Sequence, residues 1–169
     1  MKLLLHVCCA PCSTHAIETV MKDYEVTLLF SNSNISPKEE YDKRLEQARK
    51  IAKIYKLKLI EDDYNHEAWL KYIKGFEQEP EGKLRCEKCF EFNLKQTNNF
   101  AKDFDYFTTT LTISPHKDST KIFKVGKTTS NKFLEINFKK QDGFKHSIEL
   151  SNKHNLYRQD YCGCEFNGN

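Results

Sequence analysis

Three cysteines fall within five positions, at Cys8, Cys9 and Cys12, inside the run LLLHVCCAPCSTHA from Leu3 to Ala16. A second close pair is Cys86-Glu-Lys-Cys89, and a third is Cys162-Gly-Cys164. The C-x-x-C spacing at a helix start aims two sulfurs the same way, and the free backbone N–H groups there favour thiolate over thiol. Gly163 permits a tight turn between the last two sulfurs. Thiolates in this arrangement do three kinds of chemistry. They close a structural zinc site, work as a thioredoxin-like dithiol, or hold an iron–sulfur cluster. A structural zinc uses four of the seven cysteines, and a dithiol uses two. Seven sulfurs in one crevice suit a cluster with three or four thiolate ligands beside a second thiolate-rich site. Ligand softness and spacing alone leave iron and zinc both open.

Candidate proton donors accompany the thiols. His116 follows an apolar Thr-rich run, and Tyr161 precedes Cys162. Asp160 is a weaker candidate, more in keeping with a turn. His6, inside the first apolar run, reads as a core histidine. Arg85 and Arg158 flank cysteines, where they would tune local charge, contact phosphate or form plain surface ion pairs.

These residues need a scaffold, and the pattern supplies one. Short apolar runs alternate with helical periodicity along all 169 residues. Strands are expected at Lys2–Val7, Glu25–Phe30, Leu57–Ile60, Tyr106–Leu111 and Leu134–Phe138. Helices are expected at 13–22, 37–55, 66–76, 86–102, 117–124 and 146–153, with an irregular tail LYRQDYCGCEF. The alternation predicts a single α/β domain over residues 1–169, with an open, mostly parallel five-stranded sheet and helices on both faces. With strand order 3-2-1-4-5, the order reverses between strands one and four. Ligands bind at such a point, outside the carboxyl ends of the strands. The segments leaving those two strands are CCAPC and TISPHKD, so the cysteine cluster is expected there.

Composition narrows the function. Hydrophobic content of 38% and charged content of 30% are those of a globular protein. No apolar run is long enough to span a membrane, and no signal-peptide pattern opens the chain. A cytoplasmic location follows as the expectation. There, an odd number of reduced cysteines argues against a disulfide scaffold. Net charge is +3, but eight lysines lie between Lys117 and Lys145 against Asp118, Glu135 and Asp142. Such a stretch suits a phosphate backbone, or else a solvated surface. Lys117, Lys121, Lys124, Lys139, Lys140 and Arg158 are the candidate contacts. Phe90, Trp69 and Tyr157 are candidate stacking platforms for a splayed base, with core packing as the alternative for each.

The blocks LLLHVCCAPCST, PEGKLRCEKCFEFNL, FTTTLTISPHKD and LYRQDYCGC, in this order, resemble the cobalamin-independent epoxyqueuosine reductases, QueH. The resemblance runs from Leu3 to about Phe166. It implies an adenine nucleotide alpha hydrolase-like fold related to PP-loop enzymes, with VCCAPCST in place of a phosphate loop. It implies two-electron reductive removal of the epoxide oxygen of epoxyqueuosine at the wobble position, giving queuosine in the tRNA anticodon loop. It further implies a [4Fe–4S] cluster with an adjacent iron or other metal ion, and an external electron donor. Cys9, Cys86 and Cys89 are then expected to help hold the cluster. Cys8, Cys12, Cys162 and Cys164 would complete it or ligate the neighbouring metal, with His116 or Tyr161 as general acid. The rivals are a zinc-stabilised RNA-binding module, another iron–sulfur tRNA-modifying enzyme on the same fold, and a dithiol protein.

Overall fold

A computed structural model describes residues 1–166; the last three residues of the expected domain, 167–169, lie outside it. Four strands form one parallel sheet in the order β3-β2-β1-β4. They are β1 (Lys2–His6), β2 (Glu25–Phe30), β3 (Lys58–Glu61) and β4 (Tyr106–Thr109). Strand β1 is central, pairing Leu3–His6 with Val26–Leu29 on one side and with Tyr106–Thr109 on the other. Leu3, Leu4 and Leu5 are all fully buried. That unbroken apolar run is what a strand covered on both faces requires.

The faces divide by alternation. Leu3, Leu5 and Leu28 pack under α1 (Ala10–Val20) and α2 (Lys38–Tyr55), through Ile17, Val20, Leu45, Ala48 and Ile51. Leu4, Leu29 and Phe107 pack under α4 (Leu84–Phe100) and α5 (Ser119–Thr129), through Phe90, Leu94 and Ile122. A third cluster joins Trp69 and Ile73 to Phe92, tying the short α3 (His66–Tyr72) to α4. The last helix, α6 (Gly143–Lys153), lies along α1.

The expected fifth strand is corrected by the structure. The chain does come alongside β4: Phe133 bridges Phe107 in parallel, and the Leu134 N–H donates to the Phe107 carbonyl at 2.9 Å. Beyond that, threonine side chains displace the backbone ladder. The Thr108 hydroxyl donates to the Leu134 carbonyl at 2.9 Å, and the Thr112 hydroxyl to the Ile136 carbonyl at 2.8 Å. The Ile136 N–H turns back to the Leu134 carbonyl at 3.1 Å. Side-chain hydroxyls that satisfy carbonyls offer the chain an alternative to sheet pairing. The fourth strand is also shorter than expected, ending at Thr109 and passing into a 3₁₀ turn over Thr110–Ile113. Among the described residues, no helix is long and apolar enough to cross a membrane.

Candidate functional site

The reversal point lies between β1 and β4, where the order expectation put it. The segment leaving β1 carries Cys8, and the segment leaving β4 carries Thr110. The Cys8 N–H donates to the Thr110 hydroxyl oxygen at 3.1 Å, and that hydroxyl donates to the Cys8 sulfur at 3.3 Å. Cys9 is the N-cap residue of α1, in extended backbone, and Cys12 falls in the first turn. Cys86 likewise lies in the first turn of α4, one turn before Cys89. Both C-x-x-C pairs therefore stand at helix N-termini, where unpaired N–H groups favour negative charge.

The cysteines are all free and fall into two neighbouring groups. In the first, the sulfurs of Cys8 and Cys9 are 3.9 Å apart. Two thiolates on one tetrahedral metal ion sit roughly 3.8 Å apart, given metal–sulfur bonds of about 2.3 Å. Hydrogen bonds from Cys12 and Cys8 hold Cys9 well below the ordinary thiol range. The same contacts hold Cys12 well above it. A bond with Cys12 favours the Cys8 thiolate, but Cys9 and burial outweigh it, and Cys8 is pushed up to about 12. In the second group, burial raises Cys89 well above its ordinary value, and the charge of Cys162 adds to this. Burial raises Cys86 and pushes Cys164 up to about 11, again with Cys162 contributing. Among the described residues, no three His, Cys, Asp or Glu side chains converge as tightly as ligands of a single ion.

An open cleft of about 860 Å³ runs over both groups, lined by Cys8, Cys9, Cys12, Cys89 and Cys162. A smaller recess of about 90 Å³ is lined by Cys86, Cys89, Cys162 and Cys164. Cys89 and Cys162 face both. His116 and Tyr161 also line the cleft, and both are exposed. Burial raises the Tyr161 phenol above its ordinary value, and its ring lies 5.1 Å from the Arg44 guanidinium. Asp160 is exposed at the rim. His6 is fully buried, bridging the Thr109 hydroxyl at 2.9 Å and the Ser31 carbonyl at 3.0 Å, the core role expected of it.

The donor set suits metal-bound thiolates. The Gly82 N–H points at the Cys86 sulfur at 3.1 Å, and the Asn93 amide lies 3.8 Å from that of Cys89. Trp69 is wholly buried; its indole N–H has no oxygen or nitrogen partner and faces the Cys89 sulfur. Gln159 lines the cleft together with Cys9. Burial works against the charge on Lys117, yet the sulfurs of Cys162, Cys8, Cys9 and Cys12 offset this and hold it protonated. Donors aimed at sulfur and a half-buried cation lining the same cleft stabilise thiolate ligands and set the properties of what they bind.

Much of the lysine-rich stretch is engaged elsewhere. Lys121 pairs with Glu87 at 2.7 Å and Lys127 with Glu135 at 3.2 Å. Lys132 is ringed by the carbonyls of Ala101, Lys102 and Phe104, and Lys139 bonds the Lys117 carbonyl at 2.7 Å. Arg158 bonds the Ser147 carbonyl at 3.3 Å. Among the described residues, Lys124, Lys140 and Lys145 are exposed without such bonds. For the stacking candidates the structure shows the packing alternative, with Phe90 also lining the cleft. Trp69 is core, Phe90 is 6% exposed, and Tyr157 bonds Glu40 beneath Lys43.

Sequence reasoning missed Arg44, Asn93, Thr110 and Gln159. For two of them a signal existed: Arg44 sits on the apolar stripe Tyr41, Leu45, Ala48, and Asn93 on the stripe Phe90, Leu94. A polar residue on such a stripe is buried and must be satisfied.

Fold and site together define an open-sheet α/β protein with reduced thiols gathered past its strand ends. The model of the family described as Epoxyqueuosine reductase QueH matches residues 3–169. The chain is 40% identical to the epoxyqueuosine reductase QueH of Streptococcus pyogenes serotype M1, over 97% of this chain and 69% of that protein. It is 38% identical to that of Staphylococcus epidermidis, over 98% and 75%, and 35% identical to that of Thermotoga maritima, over 97% and 88%. The chain belongs to the epoxyqueuosine reductase QueH family.

Proposed function

We propose that this protein is an epoxyqueuosine reductase acting on tRNA, with the whole of residues 1–169 serving as one metal-binding catalytic domain of the adenine nucleotide alpha hydrolase-like kind. The observation that carries the reading is the meeting of seven free thiols, from three separate segments, around a cleft and an adjoining recess that share Cys89 and Cys162. The cleft volume of about 860 Å³ is in the range of sites that enclose a nucleoside-sized ligand.

The reaction takes two electrons and two protons and converts the epoxide into an alkene and water. Cys86, Cys89, Cys162 and Cys164 would hold a [4Fe–4S] cluster, and Cys8, Cys9 and Cys12 a neighbouring iron or other metal ion. This division moves Cys9 from the cluster set to the neighbouring ion, because its sulfur lies 3.9 Å from that of Cys8. When bound, the cluster supplies electrons drawn from an external low-potential donor, and the neighbouring ion supplies Lewis acidity toward the C–O bond. The residues of the chain do the rest. Lys117 offsets the thiolate charge. His116 and Tyr161 stand at the cleft wall where either can deliver a proton to the leaving oxygen. Exposed Lys124, Lys140 and Lys145 offer the phosphate contacts left by the engaged lysines.

The test is purification without oxygen, followed by iron, zinc and sulfide analysis and incubation with tRNA carrying epoxyqueuosine. Iron with acid-labile sulfide, and formation of queuosine on adding a chemical reductant, are expected. Stoichiometric zinc without sulfide, persisting after attempted cluster reconstitution and with no conversion, would show a zinc-stabilised RNA-binding module instead.

A further inference from the structure

Among the described residues, the most heavily buried cation near the thiols has no carboxylate partner. Arg85 is 1% exposed at the second position of α4. Its Nη1 donates to the Glu77 carbonyl at 2.8 Å and its Nη2 to the Phe166 carbonyl at 2.8 Å. Its Nε is buried without a partner. The guanidinium lies 5.5 Å from the Phe166 ring, which stacks in turn on Trp69 at 6.2 Å. Both Cys86 and Cys164 feel its charge.

Two consequences follow from placement alone. A buried guanidinium bonded only to neutral carbonyls keeps a full positive charge that something nearby must balance. Burial favours the neutral thiol at Cys86, Cys89 and Cys164, so these sulfurs supply the balancing negative charge only as metal-bound thiolates. Second, the two carbonyl bonds tie α4, the loop before it and the tail together. Cys164 is held between the Phe166 anchor and a further backbone bond, from the Ser36 N–H to the Gly163 carbonyl at 2.8 Å.

We infer that Arg85 is a positioning residue with two tasks: it straps the tail so that Cys164 faces Cys86 and Cys89, and its unpaired charge favours the more reduced state of what these sulfurs bind. The second task rests on the proposed metal reading; the first does not.

The experiment has one arm for each task. In the first, metal-free reduced protein is alkylated with iodoacetamide, and each cysteine is followed by peptide mass spectrometry. A chain ending at Glu165 removes the carbonyl acceptor and leaves Arg85 in place; Arg85→Lys keeps the charge but loses the planar fork. Both are expected to raise the alkylation rate of Cys164 about tenfold, the scale of losing one charge-assisted bond. Cys12 serves as the internal reference and is expected to react as before. Unchanged Cys164 reactivity in both proteins overturns the strap. Acceleration at Cys12 as well would show general unfolding and overturn it equally. In the second arm, the reconstituted holoprotein is titrated by its visible spectrum. Arg85→Met is expected to shift the midpoint potential to more negative values and Arg85→Lys to leave it near that of the parent. Equal potentials in all three overturn the electrostatic task. A protein that takes up zinc and shows no redox transition refutes the metal reading, while the alkylation result still stands or falls separately.

Discussion

Gly163→Ala should disturb the site by two separable effects. Gly163 has φ of +108°, a backbone region that side chains rarely adopt, so strain alone costs about 1–3 kcal/mol. A Cβ there would also lie 2.8 Å from Nη1 of Arg44 and 3.0 Å from its Cζ and Nη2. Arg44 is 2% exposed and cannot swing into water. It is fixed by a 2.6 Å bond to Glu40 and a 2.9 Å bond to the Cys162 carbonyl. Making room means weakening at least one charged hydrogen bond, worth about 1.5–3 kcal/mol. The total is about 3–5 kcal/mol, and a chain of this size loses roughly 2–4 °C in Tm per kcal/mol. A fall of about 10 °C in the metal-free protein is expected. Gly75→Ala is the control: its φ is +89°, but nothing lies within 4 Å of the added Cβ. That variant should show the strain effect alone, about 2–12 °C with a mid-range near 6 °C. Removal of glycine's unfolded-state freedom is common to both and drops out of the comparison. Metal bound per chain should fall in Gly163→Ala and hold in Gly75→Ala. If the two variants lose the same Tm within about 2 °C, the Arg44 contact carries no weight and the reasoning is refuted.

Thr110→Val removes the acceptor for the Cys8 N–H and the donor to its sulfur; a loss of about 1–3 kcal/mol is expected in urea unfolding, and no loss would show that water replaces the hydroxyl. Gly126→Ala places a Cβ 2.3 Å from the Phe133 ring, against the bridge to β4; overpacking of about 1–3 kcal/mol is expected, measured the same way. His15 and His146 join α1 to α6 with ring nitrogens 3.0 Å apart, so both rings cannot be fully protonated there. Burial, then His146, lowers the His15 pKa, with Glu18 opposing and Lys22 assisting. A histidine whose folded pKa is depressed loses its stabilising contribution as pH falls below the unfolded value, about 6.5. Stability should therefore drop from pH 7 toward pH 5, with the buried His6, lowered to about 4, contributing to the same limb; His146→Gln should make that limb shallower, and an unchanged slope in the variant would exclude the pair as a contributor.

Periodicity served the sequence reading well wherever one residue class decided the outcome. Leu3–Leu5 in β1, and the stripe Tyr41, Leu45, Ala48, Ile51 in α2, depend on apolar burial, and burial leaves a regular trace in the sequence. The C-x-x-C pairs were legible for a similar reason, since spacing at a helix start fixes where two side chains face. The Leu134–Phe138 segment misled because its pattern is that of a strand, while the outcome was settled by the hydroxyls of Thr108 and Thr112, two elements away in the chain. No local pattern reports which carbonyl a distant threonine will take.

The lysine-rich stretch shows the same limit in electrostatics. Its charge was read as one surface, yet a lysine's role depends on what its ammonium meets. Lys132 closes three carbonyls at the end of the loop before β4. Lys121 ties α5 to α4 through Glu87. Lys117 lines the cleft that also holds Cys8, Cys9, Cys12 and Cys162. In the proposed reading, a phosphate backbone would be met by a sparser set, Lys124, Lys140 and Lys145, than the count of eight suggests. The salt dependence of tRNA binding should be correspondingly shallow. Each phosphate neutralised on a single-stranded loop contributes a slope of about −0.7 in log K against log salt, so three contacts give a slope of about −2. Neutralising Lys124, Lys140 and Lys145 together should reduce it toward zero in a filter-binding titration. A slope near −5 in the parent chain would mean that the paired lysines let go of their partners to meet the RNA, and would return the whole stretch to the interface.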